Sequence, residues 1–106
     1  FAGTTSLDDV EIPLTLEISA IYPNPFNASV NIEYFLDRPG EASLEIFDIQ
    51  GRIVQHNDFG NLHAGRYEWI WNGTDRNGRL LESGTYLVRL NLNGRFSKTH
   101  KIIMVK

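Results

Sequence analysis

The chain is predicted to be all-β: an antiparallel β-sandwich of about seven strands in two sheets. Three observations carry that reading. Apolar residues recur with a period of two in short segments. Turn-forming Gly, Asn, Asp and Pro interrupt those segments about every 8–12 residues. No stretch shows the stripe of an amphipathic helix.

The elements follow in order. Residues 1–13, with Gly3-Thr4-Thr5-Ser6 and Asp8-Asp9, read as a linker to an upstream domain, and the domain itself as residues 14–106. Leu14, Leu16 and Ile18 alternate with Thr15 and Glu17 in a first strand. Tyr22-Pro23-Asn24-Pro25-Phe26-Asn27 ends it, because proline donates no ladder hydrogen bond. Tyr22 and Phe26 anchor a stiff Pro23-Asn24-Pro25 corner, expected to carry the chain from one sheet to the other. Val30, Ile32, Tyr34 and Leu36 form the next alternating set, and Ala42, Leu44 and Ile46 the one after the Arg38-Pro39-Gly40-Glu41 turn. Gln50-Gly51 marks a tight hairpin into a return strand over 52–59. Ala64-Gly65 opens a strand with Tyr67, Trp69 and Trp71 on one face. Asn72-Gly73 and Asp75-Arg76-Asn77-Gly78 are consecutive turns. Ser83-Gly84 leads into Tyr86, Val88, Leu90 and Leu92, and Asn93-Gly94 is a strong hairpin signal before one last strand over 95–105. No repeat at a fixed period is visible.

At 106 residues the chain is one domain. A domain of this size buries roughly two-thirds of the surface its unfolded chain exposes, so it needs neither metal nor disulfide to fold. Ten basic and thirteen acidic residues leave a net charge of −3, which argues against nucleic acid as a partner. With no cysteine, thiolate metal sites, disulfides and thiol nucleophiles are excluded. The longest apolar run, Ile102-Ile103-Met104-Val105, is far short of a membrane span. The chain opens on Phe1 with no basic-then-apolar leader, and reads as a piece of a longer protein.

Several segments, taken in order, resemble a known family. They are Tyr22-Pro23-Asn24-Pro25-Phe26-Asn27, Phe47-Asp48-Ile49-Gln50-Gly51-Arg52, Leu62-His63-Ala64-Gly65-Arg66-Tyr67, Trp71-Asn72-Gly73, Ser83-Gly84-Thr85-Tyr86 and the terminal Lys101-Ile102-Ile103-Met104-Val105-Lys106. Over about residues 14–106 the chain resembles the type A C-terminal sorting domain of the type IX secretion system. It is also similar to the Ig-like domain of the flagellar hook-capping protein. Asn72 stands where the family usually has Asp, and Ala28 where Pro is common. The resemblance implies an Ig-like sandwich whose structural motif residues are Tyr22, Pro23, Asn24, Pro25, Phe26, Gly51, Gly65, Trp71, Gly73, Gly84 and Tyr86. It implies a non-catalytic module, with no cofactor, at the end of a secreted hydrolase, peptidase or adhesin of a Bacteroidetes-type bacterium. Outer-membrane secretion machinery would read it, and the cargo would end outside the cell or on its surface.

Lys98, Lys101 and Lys106 bracket the apolar terminal strand. Such lysines guard a sheet edge against aggregation or present it for strand addition by a partner. The resemblance favours recognition, which makes Lys98, Lys101, Ile102, Ile103, Met104, Val105 and Lys106 the expected contact residues. Tyr67 and Trp69, with Phe35 or Phe59, are the alternative: an aromatic platform for carbohydrate, or none at all in a structural spacer. A domain this small must bury its largest side chains, so core is the expectation for Trp71 above all. Asp75-x-Asn77-Gly78 resembles half a calcium loop, but Arg79 and Leu80 stand where oxygen ligands belong. His56, His63 and His100 do not cluster at metal spacing, and no Gly-x-Ser-x-Gly elbow is present. Glu17, Glu33 and Glu45 alternate with core residues and read as solvated faces. Asn27-Ala28-Ser29 and Asn72-Gly73-Thr74 match a glycosylation sequon and are given little weight.

Overall fold

A computed structural model describes residues 15–106. The predicted linker and Leu14 lie outside the described residues. Eight strands form, all antiparallel to their neighbours: β1 (Leu16–Tyr22), β2 (Val30–Leu36), β3 (Gly40–Asp48), β4 (Ile53–Leu62), β5 (Gly65–Trp71), β6 (Gly84–Leu92), β7 (Arg95–Phe96) and β8 (His100–Met104). The first sheet has the order β1-β2-β5; the second runs β4-β3-β6, with β7 and β8 end to end along the outer edge of β6. The predicted last strand over 95–105 is therefore two pieces. Ser97 interrupts it: its hydroxyl accepts from the Leu90 N–H at 3.0 Å and donates to the Lys98 carbonyl at 2.9 Å, bending the chain out of register.

Alternation does the sorting between core and solvent. Val30, Ile32, Tyr34 and Leu36 on β2, and Tyr86, Val88, Leu90 and Leu92 on β6, are buried between the sheets. Ala42, Leu44 and Ile46 of β3, and Ile102 and Met104 of β8, flank the β6 set in the same sheet and join it in the core. Each fully buried aliphatic side chain of this kind contributes roughly 1.5–3 kcal/mol. β1 obeys the rule less strictly, because a bulge between Ile18 and Ala20 shifts its register.

The Pro23-Asn24-Pro25 corner does not switch sheets. β1 and β2, on either side of it, pair with each other. The segment instead swings across the open side of the sandwich and lies against β8 of the other sheet. Both of its X–Pro bonds are cis.

Two local designs each occur twice. In Asp48-Ile49-Gln50-Gly51-Arg52 the Asp48 carboxylate accepts from the N–H groups of Gln50 (2.9 Å) and Arg52 (3.0 Å). In Asp75-Arg76-Asn77-Gly78-Arg79 the Asp75 carboxylate accepts from Asn77 (2.9 Å) and Arg79 (3.0 Å). Both turns close with Gly at positive φ, +87° for Gly51 and +82° for Gly78. Asp-x-x-Gly-Arg is thus a self-capping turn, and that is the work Asp75 does here. The second design is Leu-x-Ala/Ser-Gly-x-Tyr. The Tyr67 hydroxyl donates to the His63 carbonyl at 2.7 Å, and the Tyr86 hydroxyl to the Glu82 carbonyl at 2.6 Å. Each tyrosine ties the entry of its strand to the preceding loop, as in the tyrosine corner of Ig-like sandwiches.

Candidate interaction surface

Thr15 lies at one pole of the sandwich, with the 37–40, 62–65 and 93–94 connections. Val105 lies at the other, with the 23–29, 49–52 and 72–83 connections. At this second pole most motif residues meet. The Phe26 and Trp71 rings stand 5.5 Å apart, and Trp71 and Tyr86 5.7 Å apart. Trp71, 1% exposed, donates its indole N–H to the Thr74 carbonyl at 2.9 Å. Gly73, at φ +75°, passes so close to Met104 that a Cβ there would stand 2.6 Å from the sulfur and 3.5 Å from the Phe26 ring. Phe26, Trp71, Gly73 and Tyr86 are therefore the floor on which β8 rests. Gly51 and Gly65 serve turns; Gly84 starts β6 opposite Met104.

The outer edge of β8 is already paired. The Asn24 carboxamide accepts from the Ile103 N–H at 2.9 Å and donates to the Lys101 carbonyl at 2.9 Å. Phe26 donates its N–H to the Ile103 carbonyl and accepts from the Val105 N–H, each at 2.8 Å. The Asn27 side chain donates to the Val105 carbonyl at 3.0 Å. Two side-chain amides and one residue of backbone thus imitate a neighbouring strand, which is what Tyr22–Asn27 does. Strand addition at this edge would first have to displace that segment.

The terminal residues divide by face. Ile102 and Met104 are buried core. Lys101 and Ile103 project from the other face, and Lys98, Val105 and Lys106 are exposed. The Lys106 N–H is held by the Ser83 hydroxyl at 2.8 Å. Beside this row on the outer face of the second sheet stand Leu87 (opposite Lys101), Phe47 (opposite Leu87) and Ile53 (opposite Phe47). Arg89 stacks 3.9 Å from the Phe96 ring centre and 4.9 Å from that of Phe47, and pairs with Glu45 at 3.0 Å. A groove of about 510 Å³ opens next to Ile53, between the two Asp-x-x-Gly-Arg turns.

The aromatic row of β5 turns inward. Tyr67 stacks on Tyr34 at 5.6 Å, Tyr34 on Phe59 at 5.4 Å, and Trp69 meets Phe59 edge-on at 6.3 Å. Burial, with Tyr67 beside it, pushes the Tyr34 hydroxyl up to about 12. Phe35 faces outward on the first sheet, under Arg66 at 6.0 Å. On that same outer face the Tyr22 hydroxyl donates to Glu33 (2.6 Å) and Glu68 (3.0 Å), two carboxylates directly opposite each other. Those bonds, Glu33 first, hold its proton well above the ordinary phenol range.

The sequence also carries a charge asymmetry that no motif marks. Residues 83–106 hold five of the ten basic residues (Arg89, Arg95, Lys98, Lys101, Lys106) and none of the thirteen acidic ones. They carry +5, while the rest of the chain carries −8. Arg89, Arg95 and Lys101 lie on β6, β7 and β8, and Lys98 and Lys106 on either side of β8.

Known proteins agree with this architecture. The solved structure of dimeric latent PorU from Porphyromonas gingivalis superposes with a TM-score of 0.77 at 27% identity, over 92% of this chain and 10% of that one. FlgD from Xanthomonas campestris, described in connection with hook capping in flagellar assembly, gives 0.61 at 25% identity over 85% and 67% of the two chains. PorZ, described as an essential surface component of the type IX secretion system of P. gingivalis, gives 0.56 at 19% identity over 87% and 12%, a likeness of fold alone. The chain thus spans about a tenth of PorU. No curated protein sequence matches it. The sequence model of the FlgD Ig-like domain matches residues 25–94, well over half of the chain, and the chain belongs to that family.

Proposed function

We propose that this is a non-catalytic module that directs a larger exported protein to type IX secretion machinery, through the terminal strand and the surface beside it. The observation that carries the reading is β8 itself. A short terminal strand is latched on both edges and rests on the motif residues, and it presents Lys101, Ile103, Val105 and Lys106 outward. The likeness to part of PorU supports the same context. In this reading the module's partner is outer-membrane machinery, its host is a Bacteroidetes-type bacterium, and its cargo ends outside the cell or at its surface.

The test is a fusion. A periplasm-directed reporter carrying this chain at its C-terminus, made in a type-IX-secreting bacterium, should reach the medium or cell surface. The reporter alone should stay in the periplasm. Retention of the fusion with its sandwich intact overturns the reading. A structural spacer is the second reading. Membership of the FlgD Ig-like family favours it. A spacer leaves the reporter in the periplasm.

A further inference from the structure

Resting on that reading, we infer that β8 is recognised by its face and not by its edge. The docking surface extends from Lys101 and Ile103 across Leu87 and Phe47 to Ile53, for a protein partner that presents an apolar ridge bordered by carboxylates. The edge is spoken for, because Asn24, Phe26 and Asn27 occupy its backbone groups from Lys101 to Val105. The face is free. An antiparallel sheet with one solvated side normally alternates apolar-in with polar-out. Here the solvated side keeps a row of three large apolar residues, Ile53, Phe47 and Leu87, in direct cross-strand register on β4, β3 and β6; on β8 Lys101 stands opposite Leu87, and Ile103, opposite Thr85, lies diagonal to it. Ile53 is 39% exposed, and Phe96 and Val105 beside the row are 52% and 50% exposed.

Charge selects the occupant. Residues 83–106 carry +5 with no acidic residue among them; Lys101 stands in the row opposite Leu87, and Lys98 and Lys106 lie on either side of β8 in the chain. Arg89 is already neutralised by Glu45, so the lysines supply the unmet charge at the rim. An apolar centre with a charged rim is the anatomy of a protein interface, in which the rim steers approach and makes it salt-sensitive. The row is flat and set into the sheet, with Phe47, Leu87 and Ile103 only part-exposed. That suits a complementary protein surface better than a bilayer, which takes protruding side chains.

The same reporter fusion tests this. Leu87→Asp places a carboxylate in the row, and a Lys98→Glu/Lys101→Glu pair reverses the rim at exposed positions where folding is not at stake. Ile70→Asp, on the outer face of the first sheet, is the control. Export should fall about tenfold or more for Leu87→Asp and for the lysine pair, with melting temperatures of the purified variants close to wild type, and should be unchanged for Ile70→Asp. Full export of the lysine pair and of a folded Leu87→Asp, beside normal export of the wild-type fusion, overturns the docking face and leaves the sorting reading standing. No export of the wild-type fusion overturns both. Sedimentation of the purified chain with vesicles of phosphatidylglycerol and phosphatidylcholine, lost in the lysine pair, would make the partner a membrane and overturn the protein partner.

Discussion

Asn24→Ala removes both hydrogen bonds by which one side chain stands in for a strand beside β8. The Ile103 N–H and the Lys101 carbonyl then lose their partners. Water reaches this edge, so each bond lies toward the low end of the usual net range, about 0.5–1 kcal/mol. The pair together contributes about 1–2 kcal/mol, which lowers the melting temperature of a domain this size by about 5–15 °C. The loss is also local. Exchange of the Ile103 amide should quicken about 5–30-fold, the Boltzmann factor of the same energy, while the amides of β2 hardly change. Asn24→Asp sharpens the test. It keeps the acceptor for Ile103 but sets a carboxylate against the Lys101 carbonyl, so it should not restore stability. Thermal melts and hydrogen exchange on the three proteins decide the matter. Wild-type melting of Asn24→Ala, with unchanged protection at Ile103, would refute the claim that the corner latches the terminal strand.

Three further outcomes follow from the packing. Gly73→Ala should cost about 2–4 kcal/mol by denaturant titration, combining a left-handed backbone with a methyl group driven into Met104. Trp71→Ala should cost about 3–5 kcal/mol, and Trp69→Ala clearly less, because only the first ring is fully enclosed. The Arg52 N–H, with the Arg52 guanidinium and the Gln50 N–H, holds the Asp48 carboxyl below its usual range despite some burial. Its stabilisation is therefore present above the unfolded-state value near pH 4 and is lost as the pH falls through the lower folded value. Melting temperature against pH should show that acid limb, and Asp48→Asn, which keeps the turn's acceptor but not the ion pair, should flatten it.

The fold was legible because alternation is a strict signal. Every second residue of β2 and β6 is buried, as the pattern demands. The turns were legible where glycine at positive φ is obligatory, at Gly51 and Gly94. Four things were not. The role of the Pro23-Asn24-Pro25 corner depends on a partner 77 residues later in the chain, Lys101, which no local pattern reveals. The break after Phe96 hangs on one serine hydroxyl bonding across strands. The apolar row on the second sheet draws one residue from each of β4, β3 and β6, with Ile103 of β8 diagonal to it, so it exists only once register is set. Within each strand those residues look like ordinary interruptions of an otherwise polar face. The split of the candidate residues was equally hidden: Ile102 and Ile103 are chemically alike, and only the pleat decides that one is core and the other surface.

Entry at one pole and exit at the other has a mechanical meaning. A pull applied between Thr15 and Lys106 runs parallel to β1 and to β8. Each strand is then loaded lengthwise, and the hydrogen bonds to β2, to β6 and to the Asn24 latch resist together instead of parting in sequence like a zip. Forced unfolding is governed by the unfolding rate and not by equilibrium stability. Under such a pull the barrier to opening is set by those bonds parting together.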